Sequence, residues 1–186
     1  MSESTNKTRI LCEGALLIAL AFIFSYFELS PGLLNGGAIG FAMLPVILFS
    51  VRHGAAWGTL AGFIYGITQY IEGNGIAIDW KTIILDYLVA YTLLGLGAGL
   101  FKKRVYIATA VGSFLRFLAH YFSGALIWGE WMPEEFLGMK MVSPWIYSAI
   151  YNGAYIIPCA LIVGVLFYLL SLNSRMKSFI LGERAK

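Results

Sequence analysis

The chain has 186 residues, of which 59% are apolar, 16% aromatic and only 12% charged, with a formal net charge of +3. Soluble domains carry about 25% charged residues, so a soluble globular protein is excluded and an integral membrane protein without an extra soluble domain is expected. The basic residues scatter over segment ends, which removes a nucleic-acid-binding reading, and Cys12 and Cys159 lie in apolar runs, where they read as buried thiols without disulfide or metal roles.

The hydrophobic pattern predicts an all-α, polytopic membrane protein. It forms a single integral membrane domain of six transmembrane helices, at about 10–27, 37–51, 55–71, 82–101, 105–128 and 144–172. A spanning helix needs about 20 apolar residues; the second run is short and contains Pro45, and the fifth and sixth are long enough to tilt. The first run is too long for a cleavable signal peptide and no small-residue cleavage site follows it. It carries Glu13 near one end, within reach of headgroups, and alanines four apart, Ala15 and Ala19, a spacing that lets another helix approach closely or serves ordinary internal packing.

If the six segments alternate, ten of the thirteen basic residues fall on one side: Lys7, Arg9, Arg52, Lys102, Lys103, Arg104, Arg175, Lys177, Arg184 and Lys186. The other side holds Lys81 and Lys140 with Glu28, Glu72, Asp79, Glu130, Glu134 and Glu135. The positive-inside rule then puts both termini in the cytoplasm of a multi-pass plasma-membrane protein. An odd count would divide the two basic ends, so six is preferred to five.

Asp86, Arg116 and His120 are the ionisable residues deep inside predicted spans. A charge at mid-bilayer costs at least ~2.5–3.5 kcal/mol, so such residues face the bundle interior and mark a site. Arg116, His120, Gly124 and Trp128 are spaced by four and share one helical stripe, about 18 Å long at about 1.5 Å per residue. Asp86, followed by Tyr87, lies near the outer end of the fourth span. The sixth begins on that side with Trp145, Tyr147, Tyr151, Asn152 and Tyr155.

Asp86, His120 and Asn152 are therefore expected to approach one another under an aromatic ceiling. A carboxylate, aromatic faces and an amide suit a small, flat, nitrogen-rich, cationic solute. The alternatives are a structural Asp86–Arg116 ion pair, a lone interhelical histidine, interfacial anchoring for Trp131 and Trp145, and helix contact for Asn152-Gly153. No phosphate-binding loop, HExxH or paired-cysteine pattern occurs, so neither an enzyme nor a metal or cofactor site is expected.

The segments LDYLVA around Asp86, RFLAHYFSGALIW from Arg116 and YSAIYNG from Tyr147 to Gly153, in this order and context, resemble the thiamine-specific substrate-binding subunits (ThiT) of energy-coupling factor transporters. The resemblance spans nearly the whole chain. It implies six helices, cytoplasmic termini and an outward thiamine pocket formed by Asp86, Tyr87, Arg116, His120, Gly124, Trp128, Tyr147 and Asn152, with Trp128 stacking on a ligand ring. It also implies a lid in the loop 28–36, a scaffold subunit docked on Ala15 and Ala19, and two ATPase subunits as the energy source. Two departures stand out: a shorter acid and a longer base occupy the paired positions 86 and 116, and ELSPGLLNGG lacks the tryptophan familiar in the lid. A related subunit for another vitamin or thiamine precursor, a self-sufficient proton-coupled carrier using Asp86 and His120, and a non-transporting membrane scaffold are the alternatives.

Overall fold

Long apolar runs bounded by polar caps and glycines become helices. The computed structural model describes residues 3–30, 32–33, 36–72 and 77–182. Pro31, Leu34 and Asn35 of the expected lid, and Arg184 and Lys186 of the basic tail, lie outside the described residues. The elements are α1 (Glu3–Ser25), α2 (Met43–His53), α3 (Ala55–Glu72), α4 (Trp80–Gly99), α5 (Val105–Leu126), a two-stranded hairpin of β1 (Glu135–Phe136) and β2 (Met139–Lys140), α6 (Pro144–Ser171) and the short α7 (Ser174–Ile180). Among the described residues, α1, α4, α5 and α6 are long and apolar enough to cross a membrane.

The second segment departs from its expected form. Residues 37–42 are not helical; Ile39 instead pairs with Leu29 through two backbone bonds of 2.7 and 2.9 Å. The helix itself has 11 residues, only about 17 Å at 1.5 Å per residue. Every residue from Met43 to Val51 is buried, so α2 is the central post of the bundle. A helix wrapped on all sides is apolar all round and shows no amphipathic period that would mark its ends.

Glycines on α3 bring it against α4. Gly58, Gly62 and Gly66 are four apart, and a Cβ on Gly62 would overlap the Tyr91 carbonyl, while one on Gly66 would stand 2.5 Å from that of Tyr87. This GxxxGxxxG ridge is a known close-packing device of membrane helices.

The first turns of α1 and the residues after α7 meet at one end of the bundle, where Asn6 and Gly182 line a common groove. Gly54, at φ 92°, turns α2 into α3 at that end, packed against the Lys102 side chain. At the opposite end, Ser25 Oγ lies 2.7 Å from the Glu72 carboxylate, tying the close of α1 to that of α3.

Local signals set the start of two site-bearing helices. Asp79 caps α4 by accepting from the amides of Lys81 and Thr82, and Thr82 answers with a bond from the Asp79 amide. Ser143 caps α6 and Pro144 opens it, where its missing N–H costs nothing.

Candidate ligand-binding site

The fourth helix does not stay α-helical. Ile83–Val89 form a π-helical segment, in which the Ala90 amide reaches back five residues to the Leu85 carbonyl. The wider turn re-aims the side chains within it, and such segments gather at functional sites. Asp86 stands in this segment and points towards α5.

There Asp86 Oδ1 lies 3.2 Å from His120 Nδ1, and Asp86 Oδ2 accepts from Trp128 Nε1 at 3.0 Å. On the other side of the imidazole, Arg116 Nε donates to His120 Nε2 at 3.4 Å. An arginine cannot give up its proton, so Nε2 must present a lone pair. The network therefore assigns neutral His120 with its proton on Nδ1, donated to Asp86. Among the described residues Asp86 is held by the His120 and Trp128 side chains and pairs with no arginine or lysine, so its carboxylate faces the cavity with lone pairs to spare.

α6 closes the other wall. Asn152 Nδ2 donates to the Ser148 carbonyl at 2.9 Å and lies 3.3 Å from the His120 carbonyl, while Asn152 Oδ1 accepts from Tyr155 at 2.7 Å. Ser148 Oγ donates to the Tyr121 carbonyl at 2.8 Å. A Cβ on Gly124 would overlap Ser148 Oγ, so glycine is what lets α5 and α6 approach here.

Asp86, His120, Gly124, Trp128, Tyr147 and Asn152 line one cavity, together with Ser148 and Tyr151. Its volume is about 50 Å³, whereas ligand pockets measure about 300–1,000 Å³. A solute must therefore spread these walls on entry.

Two expected site residues lie elsewhere. Tyr87 is buried against α3, with its ring 5.6 Å from that of Tyr70, and does not line the cavity. Arg116 sits behind His120. Its guanidinium lies 4.6 Å over the Tyr91 ring and 5.9 Å from that of Tyr155, and Nη2 donates to Tyr91 at 3.1 Å. Aromatic faces and a hydroxyl stabilise the buried cation. Among the described residues no Asp86–Arg116 ion pair occurs; one helical turn separates Arg116 from His120, and the imidazole fills the space between acid and base. From Tyr91 the polar chain continues through Gln69 to Glu72.

The roof has contributors the sequence did not signal. The Gly37 amide donates to Tyr151 at 3.1 Å, anchoring the extended stretch before α2. Phe136, on the hairpin, packs 5.6 Å from the Tyr147 ring and 5.5 Å from that of Tyr151. The hairpin turns through Leu137 and Gly138, both at positive φ (53° and 74°), a two-residue turn matched to strand twist. Leucine is unusual there, so no turn signal marks it. Among the described residues no three metal-ligating side chains gather at one point.

Beside this roof, Glu28 turns inward and accepts from the Ala42 amide. Burial is the main reason its carboxyl is pushed up from 4.5 to about 7; Arg116 and the Ala42 amide pull it down and Glu72 adds to the rise. The folded chain thus holds this proton more tightly than the unfolded chain. The stability Glu28 contributes is full below 4.5 and is lost as pH rises towards 7. The thermal unfolding midpoint is expected to fall between about pH 5 and 8, and Glu28→Gln is expected to flatten that slope. A slope unchanged by the substitution would assign it to other groups.

Residues 11–178 match the family model described as thiamine transporter protein. The thiamine transporter ThiT of Bacillus subtilis is 30% identical, covering 90% of this chain and 94% of its own length. ThiT of Lacticaseibacillus paracasei is 27% identical over 77% of each. A solved structure of ThiT from Listeria monocytogenes superimposes with a TM-score of 0.80 at 21% identity, covering 92% of this chain and 98% of that one, and so shares its fold.

Proposed function

Because this chain belongs to the thiamine transporter family, we propose that it captures thiamine in the cavity between α4, α5 and α6 and serves as the substrate-binding subunit of an energy-coupling factor transporter. The observation that carries the reading is Asp86: a carboxylate on the wall of an aromatic cavity, fixed by His120 and Trp128. Thiamine offers a cationic ring to that charge and an aminopyrimidine to the polar edge of Asn152 and Tyr147. Trp128 supplies a flat face once the walls part. Arg116 acts from behind, by keeping the His120 proton on Nδ1.

In this reading the chain crosses the plasma membrane six times with both termini in the cytoplasm. Arg9, Arg52, Lys102 and Arg175 gather at the end of the bundle where α1 begins and α7 lies, which supports that orientation. α2 completes its crossing through the extended stretch before it, which is covered by protein, as non-helical backbone at membrane depth must be.

Ala15 and Ala19 would dock the scaffold subunit. Both are exposed and line an apolar groove of about 540 Å³ walled by Phe49, Trp57, Leu60 and Ile64, a shape that admits a partner helix. Two ATPase subunits would drive transport, and the whole subunit would rotate in the membrane to release its cargo. Crosslinks that show an upright, fixed bundle through a transport cycle would refute the rotation.

A proton-coupled carrier is the weaker alternative. Protonating His120 would set an N–H against the Arg116 Nε–H, which the present network opposes.

Titrating the purified protein with thiamine while following tryptophan fluorescence tests the reading. Saturable quenching is expected. Silence with thiamine, but quenching by its pyrimidine precursor, would transfer the site to that ligand. Uptake by vesicles holding this chain alone would remove the dependence on ATPase partners.

A further inference from the structure

At the end of the bundle opposite the ligand cavity lies a second, larger concavity of about 1160 Å³, bounded by the first turns of α1, the end of α2 and α7. Three arginines from three elements line it: Arg9 on α1, Arg52 on α2 and Arg175 on α7. Arg52 serves the structure. Its Nε donates to Glu13 Oε1 at 2.5 Å, its Nη2 to Oε2 at 3.3 Å and its Nη1 to the Phe179 carbonyl. Its guanidinium lies 4.1 Å over the Phe179 ring, which fastens α7 to the bundle and shapes the groove. Glu13, the one carboxylate among the described residues of the lining, is paired by that arginine, and His53 Nε2 lies 3.2 Å from its Oε2.

Arg9 and Arg175 line the groove from α1 and α7 respectively. Neither has an ion pair among the described residues. Leu16 and Leu17 form an apolar strip running from this cationic rim towards the middle of the bundle, and Leu16 is 72% exposed. A surplus of positive charge above an apolar strip complements a phosphodiester with fatty chains: basic pockets between membrane helices recognise anionic headgroups, and guanidinium forks pair with phosphate oxygens. A free phosphate would use the rim and leave the strip unused.

We propose that this groove binds one anionic phospholipid, its phosphate between Arg9 and Arg175 and an acyl chain along Leu16 and Leu17. The inference rests on the chain crossing a bilayer and is independent of the solute held at the other end.

The test compares thermal unfolding of the full chain in micelles doped with phosphatidylglycerol or phosphatidylcholine. Phosphatidylglycerol is expected to raise the midpoint by about 3 °C or more. The Arg9→Gln/Arg175→Gln double variant, still quenched by thiamine to the wild-type extent, is expected to lose that difference. A Lys103→Asn/Arg104→Gln control, on the same end but outside the groove, is expected to keep it. Inorganic phosphate added to phosphatidylcholine micelles is expected to give no shift. Equal midpoints in the two lipids overturn the proposal and leave the groove to a polypeptide partner. Loss of the difference in the control assigns it to general surface charge, and a shift with phosphate alone assigns the rim to a free anion; either also overturns it. Native mass spectrometry of the wild-type chain released from mixed-lipid nanodiscs gives a second reading that needs no variant. One selectively retained phosphatidylglycerol per chain is expected, and unselective retention counts against the site.

Discussion

Asp86→Asn is expected to weaken thiamine binding by at least about 1.5 kcal/mol, roughly tenfold or more. Two losses add. The charge facing the cationic ring disappears. The amide also cannot satisfy both neighbours, because His120 Nδ1 and Trp128 Nε1 are both donors and the Asn NH₂ must oppose one of them. His120 has no escape through its other tautomer while Arg116 Nε donates to Nε2. Fluorescence titration reads the affinity, and thermal unfolding checks that the fold survives. Asp86→Glu keeps the charge but moves the carboxylate by a methylene, so its loss is expected to be the smaller. An unchanged affinity in Asp86→Asn would remove the carboxylate from the site.

Gly62→Leu is expected to abolish the folded bundle, and Gly62→Ala to lower its unfolding midpoint. Overpacking a well-filled contact costs about 1–3 kcal/mol. The obstacle here is the Tyr91 backbone carbonyl, which cannot swing aside as a side-chain tip can. Gly95, facing Gly58 across the same seam, leaves no slack: a Cβ there would overlap the Gly58 carbonyl. Parting α3 from α4 also displaces Tyr91, which holds Arg116, and the π-helical segment that carries Asp86. Stability and thiamine affinity should therefore fall together. Gly164→Ala, where nothing lies within 4 Å of the new Cβ, is expected to leave both unchanged. A Gly62→Ala protein as stable as wild type would show that the helices slide apart at no cost.

The cavity shows how far periodicity reaches. His120, Gly124 and Trp128 share a face because residues four apart on a helix must, whatever surrounds them. That Asn152 meets the same cavity follows from α6 starting where α5 ends. Arg116 belongs to the same stripe yet lies off the cavity wall. A long side chain goes where its charge is best stabilised, and here that is between Tyr91 and Tyr155 on two other helices. Tyr87 turns towards α3 because consecutive residues on a helix of about 3.6 residues per turn point to different faces, so the neighbour of Asp86 meets Tyr70 instead of the cavity. The Phe136 hairpin leaves no trace in hydropathy at all.

Taken alone, the sequence determined the membrane as solvent, the helical class, the long apolar segments and the family, because each follows from composition, from a local period or from the order of short motifs. Tertiary structure decided the short buried α2, the π-helical re-aiming of Asp86, the proton on His120 Nδ1, the retreat of Arg116 and the roof over the cavity. Those depend on which atoms from distant helices come within about 3–4 Å of one another, the range over which hydrogen bonds and close packing act, and a one-dimensional pattern carries no such distances.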